Sequence, residues 1–237
     1  MDRQSITSRW NISRVEASEL LDLGQGTDQD VAQNLAEMQR INDVLGGTRA
    51  LTRHLYPRLQ MGGASPLRVI DLGSGGAGIP RRIRAWAAHR SVPLTVVAVD
   101  HAARILDVAR NGVPVPLLRA DALCLPLAPG SVDYVISTLF LHHFSPNALV
   151  ALLHNAYRLA RRGLVMSDLV RGRLPYLAFH AAAPLFARNY LTRQDGLLSI
   201  RRAYTPEELR ELAERAGLRG AKVHAHFPWR MTLVVDK

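Results

Sequence analysis

A glycine-rich segment and three aspartates are the residues whose types and spacing first suggest chemistry. Asp71 lies in an apolar run that leads directly into Gly73-Ser-Gly-Gly-Ala-Gly78, and glycines let the backbone turn tightly and approach a ligand closely. Asp100 ends a second apolar run, and Asp121 follows a third. In open α/β sheets, ligands bind at the edge where such strands end. A single aspartate at this edge is as often a helix cap as a functional group. Three in register, however, predict a binding site, and their negative charges suit a ligand with a cation and a ribose better than a pyrophosphate, which they would repel.

Two histidines and a fourth aspartate form a second group of candidates. His142 and His143 follow the fourth predicted strand, and Asp168 follows the fifth. A histidine titrates near neutral pH and can remove a proton from a phenol or another hydroxyl. Either histidine is therefore a candidate general base, or the pair only shapes the loop. Asp168 would orient the substrate or a histidine, or cap a turn.

Short β-rich runs alternate with helical stretches around these residues, which predicts an α/β fold with a mostly parallel sheet. We predict strands over residues 68–71, 94–100, 115–119, 134–137 and 164–167, with helices over 78–90, 101–110 and 146–161. Residues 170–203 form a long insert. Thr205 and Pro206 begin a further helix, and two closing strands near 220–226 and 229–235 predict an antiparallel edge.

The segment before the sheet is expected to be helical over residues 14–60. Thr27 or Asp28 can cap an amphipathic helix, whose apolar face has the spacing of three and four at Val31, Leu35, Met38, Ile41 and Leu45. A second helix is expected over 48–59, followed by a linker over 61–66. We therefore divide the chain into an N-terminal helical cap, residues 1–66, and a core, residues 67–237, that includes the insert.

The composition is that of a globular protein in a reducing compartment. The chain has 237 residues, of which 48% are hydrophobic and 21% charged, as in one domain with an extra piece. Its net charge is +10, but the basic residues are scattered arginines apart from two lysines, which favours a solvated surface over a nucleic-acid site. The single cysteine, Cys124, cannot form an internal disulfide and is expected to be buried. We see no leader or membrane-spanning run and expect a cytoplasmic location.

The order of these motifs resembles that of class I S-adenosylmethionine-dependent methyltransferases over residues 67–169. The matching pieces are the glycine segment after Asp71, Val99-Asp100, Ala120-Asp121-Ala122 with Leu125-Pro-Leu127, Ser131-Val-Asp-Tyr-Val-Ile-Ser137 and Leu141-His-His-Phe144. The resemblance implies a Rossmann-like, seven-stranded mixed sheet. It also implies S-adenosylmethionine as cofactor and S-adenosylhomocysteine as product. A narrower resemblance, to small-molecule methyltransferases of bacterial polyketide-type pathways, rests on Glu19-Leu-Leu-Asp22, Asn34, Gly46-Gly47 and Ile79-Pro80.

The resemblance assigns a set of residues to the cofactor: Asp71, Gly73, Gly75, Ala77, Asp100, His101, Asp121, Ala122 and Ser137. The two glycines would let the backbone pass the methionine part, whose amino group Asp71 would help to hold. Asp100 would bind the ribose, and Asp121 with Ala122 the adenine. The family usually has a third glycine at the place of Ala77, so we expect a shifted glycine step that uses Gly78.

Acceptor choice is expected to depend on the insert and the N-terminal helices. The insert could form an apolar lid that excludes water and aligns the reactants, and its expected acceptor-binding residues are Tyr176, Phe179, His180, Phe186 and Tyr190. These side chains could instead only pack the insert onto the sheet.

Leu169 follows Asp168 and the fourth strand ends without an acid, so the pattern of metal-dependent catechol enzymes is missing and we predict no metal.

The sequence thus predicts methyl transfer from S-adenosylmethionine to a small, largely apolar acceptor, with O-methylation of a phenolic or polyketide-like metabolite as the leading reaction. C-methylation of a quinone-like or phenolic ring would use the same residues and stays open. Two alternatives of other classes are an NAD(P)-dependent oxidoreductase, which Asp121 opposes, and an RNA-directed methyltransferase, which the apolar insert opposes. We expect an aromatic or lipophilic small molecule as partner and no specific nucleic acid; a homodimer is compatible with the sequence.

Overall fold

A seven-stranded sheet forms the centre of the computed structural model, which describes residues 12–63, 65–110 and 114–237. Its strands are β1 (Leu67–Leu72), β2 (Leu94–Asp100), β3 (Leu117–Arg119), β4 (Val132–Thr138), β5 (Ala160–Leu169), β6 (Lys222–His226) and β7 (Arg230–Asp236). They lie in the order β3-β2-β1-β4-β5-β7-β6. The first five are parallel, whereas β7 is antiparallel to both β5 and β6. The predicted α/β fold with an antiparallel edge is confirmed.

Helices cover both faces of this sheet. They are α1 (Asp28–Val44), α2 (Gly47–Gln60), α3 (Gly78–His89), α4 (Ala103–Arg110), α5 (Pro146–Leu159), α6 (Arg173–Phe186), α7 (Tyr190–Arg202) and α8 (Pro206–Arg215). A short 3-10 turn, Leu141–His143, follows β4. Most predicted helices lie within a few residues of these bounds, because caps such as Thr27, Ser145 and Thr205 mark their starts.

Alternation along the strands sends neighbouring side chains to opposite faces. Val69 packs in a cluster with α2 and α3, which includes Leu51, Leu55, Ile83, Ile136 and Val165. Ile70, the next residue of β1, packs in a cluster with α5 and α8, which includes Leu152, Val135, Leu209 and Leu233. Helix α2 is therefore a layer of the core, although the sequence division places it in the cap. Burial on both faces holds the carboxyl ends of β1, β2, β4 and β5 along one edge.

The helical structure expected over residues 14–23, before Gly24, is wrong. The chain there is irregular, with a turn at residues 20–24, and it is held by contacts with distant elements. Val15 N–H donates to the carbonyl of Arg201 (3.3 Å), and the carboxylate of Asp195 accepts from the N–H groups of Leu20 (2.8 Å) and Leu21 (3.1 Å). Because these bonds satisfy the backbone without a helix, the segment lies against α7 instead.

The insert forms two helices, α6 and α7. Asn189 caps α7, since its side chain accepts from Leu191 N–H (2.9 Å). Gly196 of α7 lies directly against the Phe179 ring of α6, where any side chain at position 196 would collide with the ring. The absence of a side chain at this glycine therefore allows the two helices to pack closely.

Two smaller expectations also need correction. Strand β3 begins at Leu117 rather than at residue 115, because Pro114 and Pro116 have no N–H to donate to the sheet. Cys124 is exposed rather than buried, since it lies in a turn beyond Asp121, outside the packed layers. Among the described residues, no helix is both long enough and apolar enough to cross a membrane.

Candidate active site

The glycine turn after β1 consists of alternating left-handed residues. Gly73 (φ 65°), Gly75 (φ 54°) and Ala77 (φ 58°) all have positive φ. A side chain at Gly73 would collide with the ring of Phe140. Ala77 thus adopts a left-handed conformation that glycine adopts more readily, at a cost of about 1–2 kcal/mol, while the expected shift of the glycine step to Gly78 stays a prediction.

A cavity of about 90 Å³, here called the turn cavity, lies between the glycine turn, the end of β4 and α1. Several of its lining side chains carry buried polar atoms without a hydrogen-bond partner in the described part of the chain: Asn42 Oδ1, Asp71 Oδ1, Ser74 Oγ and Thr138 Oγ1. An unpaired buried polar atom is costly, so a bound group that carries charge and hydrogen-bond donors would satisfy them. The amino-acid part of S-adenosylmethionine is such a group.

Asp71 is the acidic side chain of the turn cavity. Burial, together with the negative charge of Asp100, raises the pKa of Asp71 well above its ordinary value. A cationic ligand group beside the carboxylate would favour its charged form again. The structure therefore provides a place where Asp71 could hold an ammonium group.

Asp100 connects β2 to the glycine turn. Its carboxylate accepts hydrogen bonds from the N–H groups of Gly75 (3.1 Å) and Ala102 (3.0 Å). His101 is exposed, with Nδ1 3.7 Å from Asp100 Oδ1. These residues lie outside the turn cavity on the same sheet edge.

The remaining expected cofactor residues extend along that edge. Asp121 is exposed and accepts from Leu123 N–H (2.9 Å), while Ala122 packs in the core. Ser137 is buried near the end of β4, and its hydroxyl has no partner in the described residues. The structure thus places the predicted set at one edge, with Asp71, Gly73 and Gly75 lining the turn cavity.

A second cavity of about 190 Å³, here called the apolar cavity, lies under α1, α6 and α7. Apolar side chains make most of its wall: Met38, Ile41, Leu45, Leu139, Leu169, Val170, Pro175, Ala178, Phe179, Ala182, Phe186, Ile200 and Trp229. Polar side chains line it at Asn34, His142, Thr192, Asp195, Ser199 and Arg230. Such a wall suits a largely apolar ligand with a few polar groups.

Two side chains separate the two cavities. Met38 of α1 and Leu139 after β4 line both. Leu139 has a φ of 55°, which leucine rarely adopts, and its N–H donates to the carbonyl of Ser167 (3.0 Å). Strained residues of this kind are found at functional sites. A group that passed from one cavity to the other would cross at this boundary.

His142 lies in the wall of the apolar cavity between two carboxylates. Its Nδ1 donates to Asp168 Oδ1 (2.8 Å), and its Nε2 lies 3.5 Å from Glu19 Oε1. Burial favours the neutral ring, but the two carboxylates outweigh it and raise the pKa of His142 to about 9. The ring is therefore held as a cation at neutral pH, and it binds a proton more strongly than an ordinary histidine.

Glu19 joins both histidines to the N-terminal segment. It is buried and accepts from the Ser199 hydroxyl (2.7 Å). Burial raises its pKa, but contacts with the two histidines reverse this and lower it. His143 Nε2 lies 3.8 Å from Glu19 Oε2, and its Nδ1 donates to Asp22 (3.0 Å). Arg202 completes the group through Asp22 (3.3 Å) and Glu19 (3.7 Å).

Glu19, His142 and His143 lie close enough together to bind a metal ion. Glu19 is already in contact with Ser199 and with the guanidinium of Arg202, and a cation beside it would be repelled by that guanidinium. The contacts therefore favour a network of ion pairs at these three residues. The expectation that the protein uses no metal stays a prediction.

The expected acceptor residues divide into two groups. Phe179 and Phe186 line the apolar cavity. Tyr176, His180 and Tyr190 do not line it; the first two lie one turn apart on α6 with parallel rings 6.4 Å apart, and Tyr190 is 45% exposed at the start of α7. The helical spacing of the insert could not show which side chains face inward.

Sequence reasoning missed several residues of the site. Glu19 and Arg230 are buried beside His142 or in the same cavity wall, and neither was singled out as a site residue. The position of Arg230 at the start of the otherwise apolar closing strand is a sequence signal that could have identified it as a site residue. Glu19 lies in a segment that carries the narrower resemblance, but no local pattern indicates its contact with His142, because that contact joins segments far apart in the chain.

The chain is similar to known methyltransferases. Residues 69–163 match a family model described as a methyltransferase domain, whereas a search of curated proteins gave no match. A SAM-dependent methyltransferase from Aquifex aeolicus aligns with a TM-score of 0.56 and 14% identity, over 90% of this chain and 99% of that chain. Human N-acetylserotonin methyltransferase in complex with SAM aligns with a TM-score of 0.65 and 14% identity, over 94% of this chain and 63% of that chain.

A third structure has the same fold. Magnesium protoporphyrin IX methyltransferase from Synechocystis PCC 6803 with bound SAH aligns with a TM-score of 0.58 and 16% identity, over 89% of this chain and 97% of that chain. The matched domain begins in β1 and includes the glycine turn, Asp100 and the end of β4. Residues 69–163 thus match a methyltransferase domain, and the chain has the fold of class I S-adenosylmethionine-dependent methyltransferases.

Proposed function

We propose that the protein methylates an oxygen of a small, largely apolar phenolic or polyketide-like acceptor that binds in the apolar cavity. One observation carries this proposal: an apolar cavity that contains a carboxylate-paired histidine adjoins the turn cavity, with Met38 and Leu139 at the boundary. When bound, S-adenosylmethionine supplies an activated methyl group. The chain's own contribution is to align the acceptor and exclude water.

In this proposal the cofactor is held by the residues at the edge of the sheet. Asp71 and the glycine turn hold the amino-acid part, Asp100 with His101 the ribose, and Asp121 with Ala122 the adenine. Support comes from the unpartnered polar atoms of the turn cavity and from the exposed position of Asp121 at the end of β3. Ser137 and Ala77 shape the turn around the cofactor.

His142 is the proposed proton acceptor. Asp168 holds its ring through Nδ1 and leaves Nε2 as the atom that exchanges a proton. An oxygen acceptor must lose a proton during methyl transfer, and a positioned histidine can take it. Because the resting ring is protonated at neutral pH, the deprotonated form would be reached as the pH rises or as the acceptor displaces Glu19. His143 positions this group through Asp22 and Glu19.

C-methylation of a phenolic or quinone-like ring remains the second candidate, because the same cavity and histidine would serve it. The small acceptors in the names of similar structures, N-acetylserotonin and magnesium protoporphyrin IX, support a small molecule over RNA. The methyltransferase domain opposes the oxidoreductase alternative.

The test begins with calorimetric titration of the purified protein with S-adenosylhomocysteine, with NAD and NADP as controls. We expect micromolar or tighter binding of the first alone. Phenolic and polyketide compounds are then screened for methylation with S-adenosylmethionine, with total RNA as a parallel substrate. A new methoxy signal in the product supports O-methylation, a methyl group on ring carbon supports the second candidate, and methylated RNA alone would overturn both.

A further inference from the structure

Arg230 is a buried cation in the wall of the apolar cavity. It is the first residue of β7, where it pairs with Leu169 of β5, and only 5% of it is exposed. Its sequence neighbour Trp229 and the facing residues Leu169 and Val170 are apolar and line the same cavity. Arginine is rarely buried in such surroundings unless a partner balances its charge.

The contacts of Arg230 leave most of its hydrogen-bonding capacity unused. Its Nη1 donates to the carbonyl of Trp229 over 3.3 Å, and its Nε has no partner within the described residues. The guanidinium makes no ion pair with any acidic side chain in that part of the chain. Burial lowers the pKa of Arg230 to about 10, against a favourable field from Asp168, so the group is charged at neutral pH.

The acidic side chains around the cavity have other partners. Asp168 holds His142, and Asp195 accepts from the backbone at Leu20 and Leu21. Arg171, a buried arginine nearby in the chain, is fully paired by comparison: it contacts both carboxylate oxygens of Glu208, at 2.9 and 2.6 Å. Arg230 thus differs from the buried arginines Arg171 and Arg202, because no acidic side chain in the described part of the chain forms an ion pair with it.

We propose that Arg230 binds an anionic oxygen group of the acceptor, so that the enzyme selects apolar acceptors that carry a carboxylate or an ionised phenol or enol. A planar guanidinium with free N–H donors recognises such groups by charge-assisted hydrogen bonds. His142, a cation in the same wall, adds to the positive field. The inference rests on the proposed function, since it assumes that the apolar cavity is the acceptor site.

The test compares naphthoate with its neutral methyl ester, which share an apolar body, and adds para-nitrophenolate as a phenolate probe. Naphthoate, methyl naphthoate and para-nitrophenolate are titrated into the protein saturated with S-adenosylhomocysteine, at a pH where the phenol is ionised. We expect naphthoate or the phenolate to bind at least about tenfold more tightly than the neutral ester, as one charge-assisted hydrogen bond provides. The two anionic arms distinguish a carboxylate from a phenolate as the preferred group.

The variants Arg230→Met and Arg230→Lys are then compared with Arg173→Met, which removes an exposed arginine at the start of α6. Arg230→Met should lose the preference for the anion but keep its affinity for the ester and for S-adenosylhomocysteine. Arg230→Lys should keep part of the preference, and Arg173→Met all of it. Thermal melting adds a second readout, because removing an unbalanced buried charge should not destabilise the protein.

Three outcomes would overturn the inference: equal binding of ester and anions, binding of neither, or an anion preference that survives in Arg230→Met. A lower melting temperature of Arg230→Met with an unchanged preference would assign the residue a structural role. Failure of the proposed function is distinct, since the wild-type protein would then either not bind S-adenosylhomocysteine or methylate RNA and none of the phenolic and polyketide compounds.

Discussion

His142 and Asp168 connect the segments that follow β4 and end β5 by two hydrogen bonds. Asp168 Oδ1 accepts from the His142 ring over 2.8 Å, and Oδ2 accepts from the His142 backbone N–H over 3.0 Å. Both side chains are almost fully buried. A ring held through its backbone and through Nδ1 has one orientation, which is what a proton-transfer group in a cavity wall requires.

The first prediction concerns the pH dependence of turnover. The carboxylates of Asp168 and Glu19 overcome the effect of burial and raise the pKa of His142 to about 9, so a base at this position is mostly protonated at neutral pH. Turnover of the wild-type enzyme should rise with pH towards 9. Asp168→Asn removes one carboxylate and should lower the pKa of His142, so the rise of turnover should occur at lower pH. The measurement is kcat against pH with a phenolic acceptor.

The control for this prediction is cofactor affinity. His142→Gln should lose at least about tenfold in turnover, as removal of a general base does, and keep its affinity for S-adenosylhomocysteine. A flat pH profile, or a fully active His142→Gln enzyme, would exclude His142 as the base.

The second prediction concerns Asp71, which is buried with a pKa well above 3.8. A carboxyl group whose pKa is raised on folding favours the folded state below the unfolded pKa and loses that contribution as the pH rises. Asp71→Asn should therefore melt at a higher temperature than the wild type at neutral pH, by at least about 2 °C per kcal/mol relieved. The same variant should bind S-adenosylhomocysteine more weakly.

The melting temperatures of Asp71→Asn and wild type should converge below pH 3.8, where the carboxyl group is neutral in both states. Asp121→Asn is the matched control, because that side chain is exposed and its replacement should leave the melting temperature unchanged. A destabilised Asp71→Asn protein at neutral pH would contradict the interpretation that the buried carboxylate of Asp71 lowers the stability of the unliganded protein.

The third prediction concerns Asp100, whose carboxylate accepts from Gly75 and Ala102. Asp100→Ala should weaken binding of S-adenosylhomocysteine by at least about tenfold, because it removes charge-assisted hydrogen bonds and loosens the glycine turn. Calorimetry measures this, with Asp107→Ala as control, since Asp107 is exposed on α4 and pairs with Arg110 on the same helix. Unchanged affinity would remove Asp100 from the cofactor site.

The fourth prediction concerns Gly196, which lies against Phe179 in the apolar cavity. Gly196→Ala should push the Phe179 ring aside and narrow the cavity. Turnover should then shift towards smaller acceptors, while affinity for S-adenosylhomocysteine stays the same because the turn cavity is not touched. Competition assays between a large and a small acceptor measure the shift, and unchanged selectivity would place acceptor binding elsewhere.

The fold could largely be predicted because local signals mark it. Apolar runs that end in Asp71 and Asp100, and caps such as Thr205, depend on residues close together in the chain. The N-terminal segment could not be predicted in this way. The spacing of its apolar residues predicts a helix, but its backbone forms hydrogen bonds with Asp195 and Arg201 of α7. No local sequence pattern indicates that contact.

The sequence by itself determined the sheet, the edge that carries the aspartates, and the loop that carries His142. These follow from the alternation of side chains along strands and from the rule that parallel strands end together. Only the tertiary structure decided that Glu19 meets His142, that Phe179 faces inward while His180 does not, and that Arg230 is buried with no acidic partner among the described residues. These contacts join distant segments, so they depend on how α1, α6, α7 and β7 pack together.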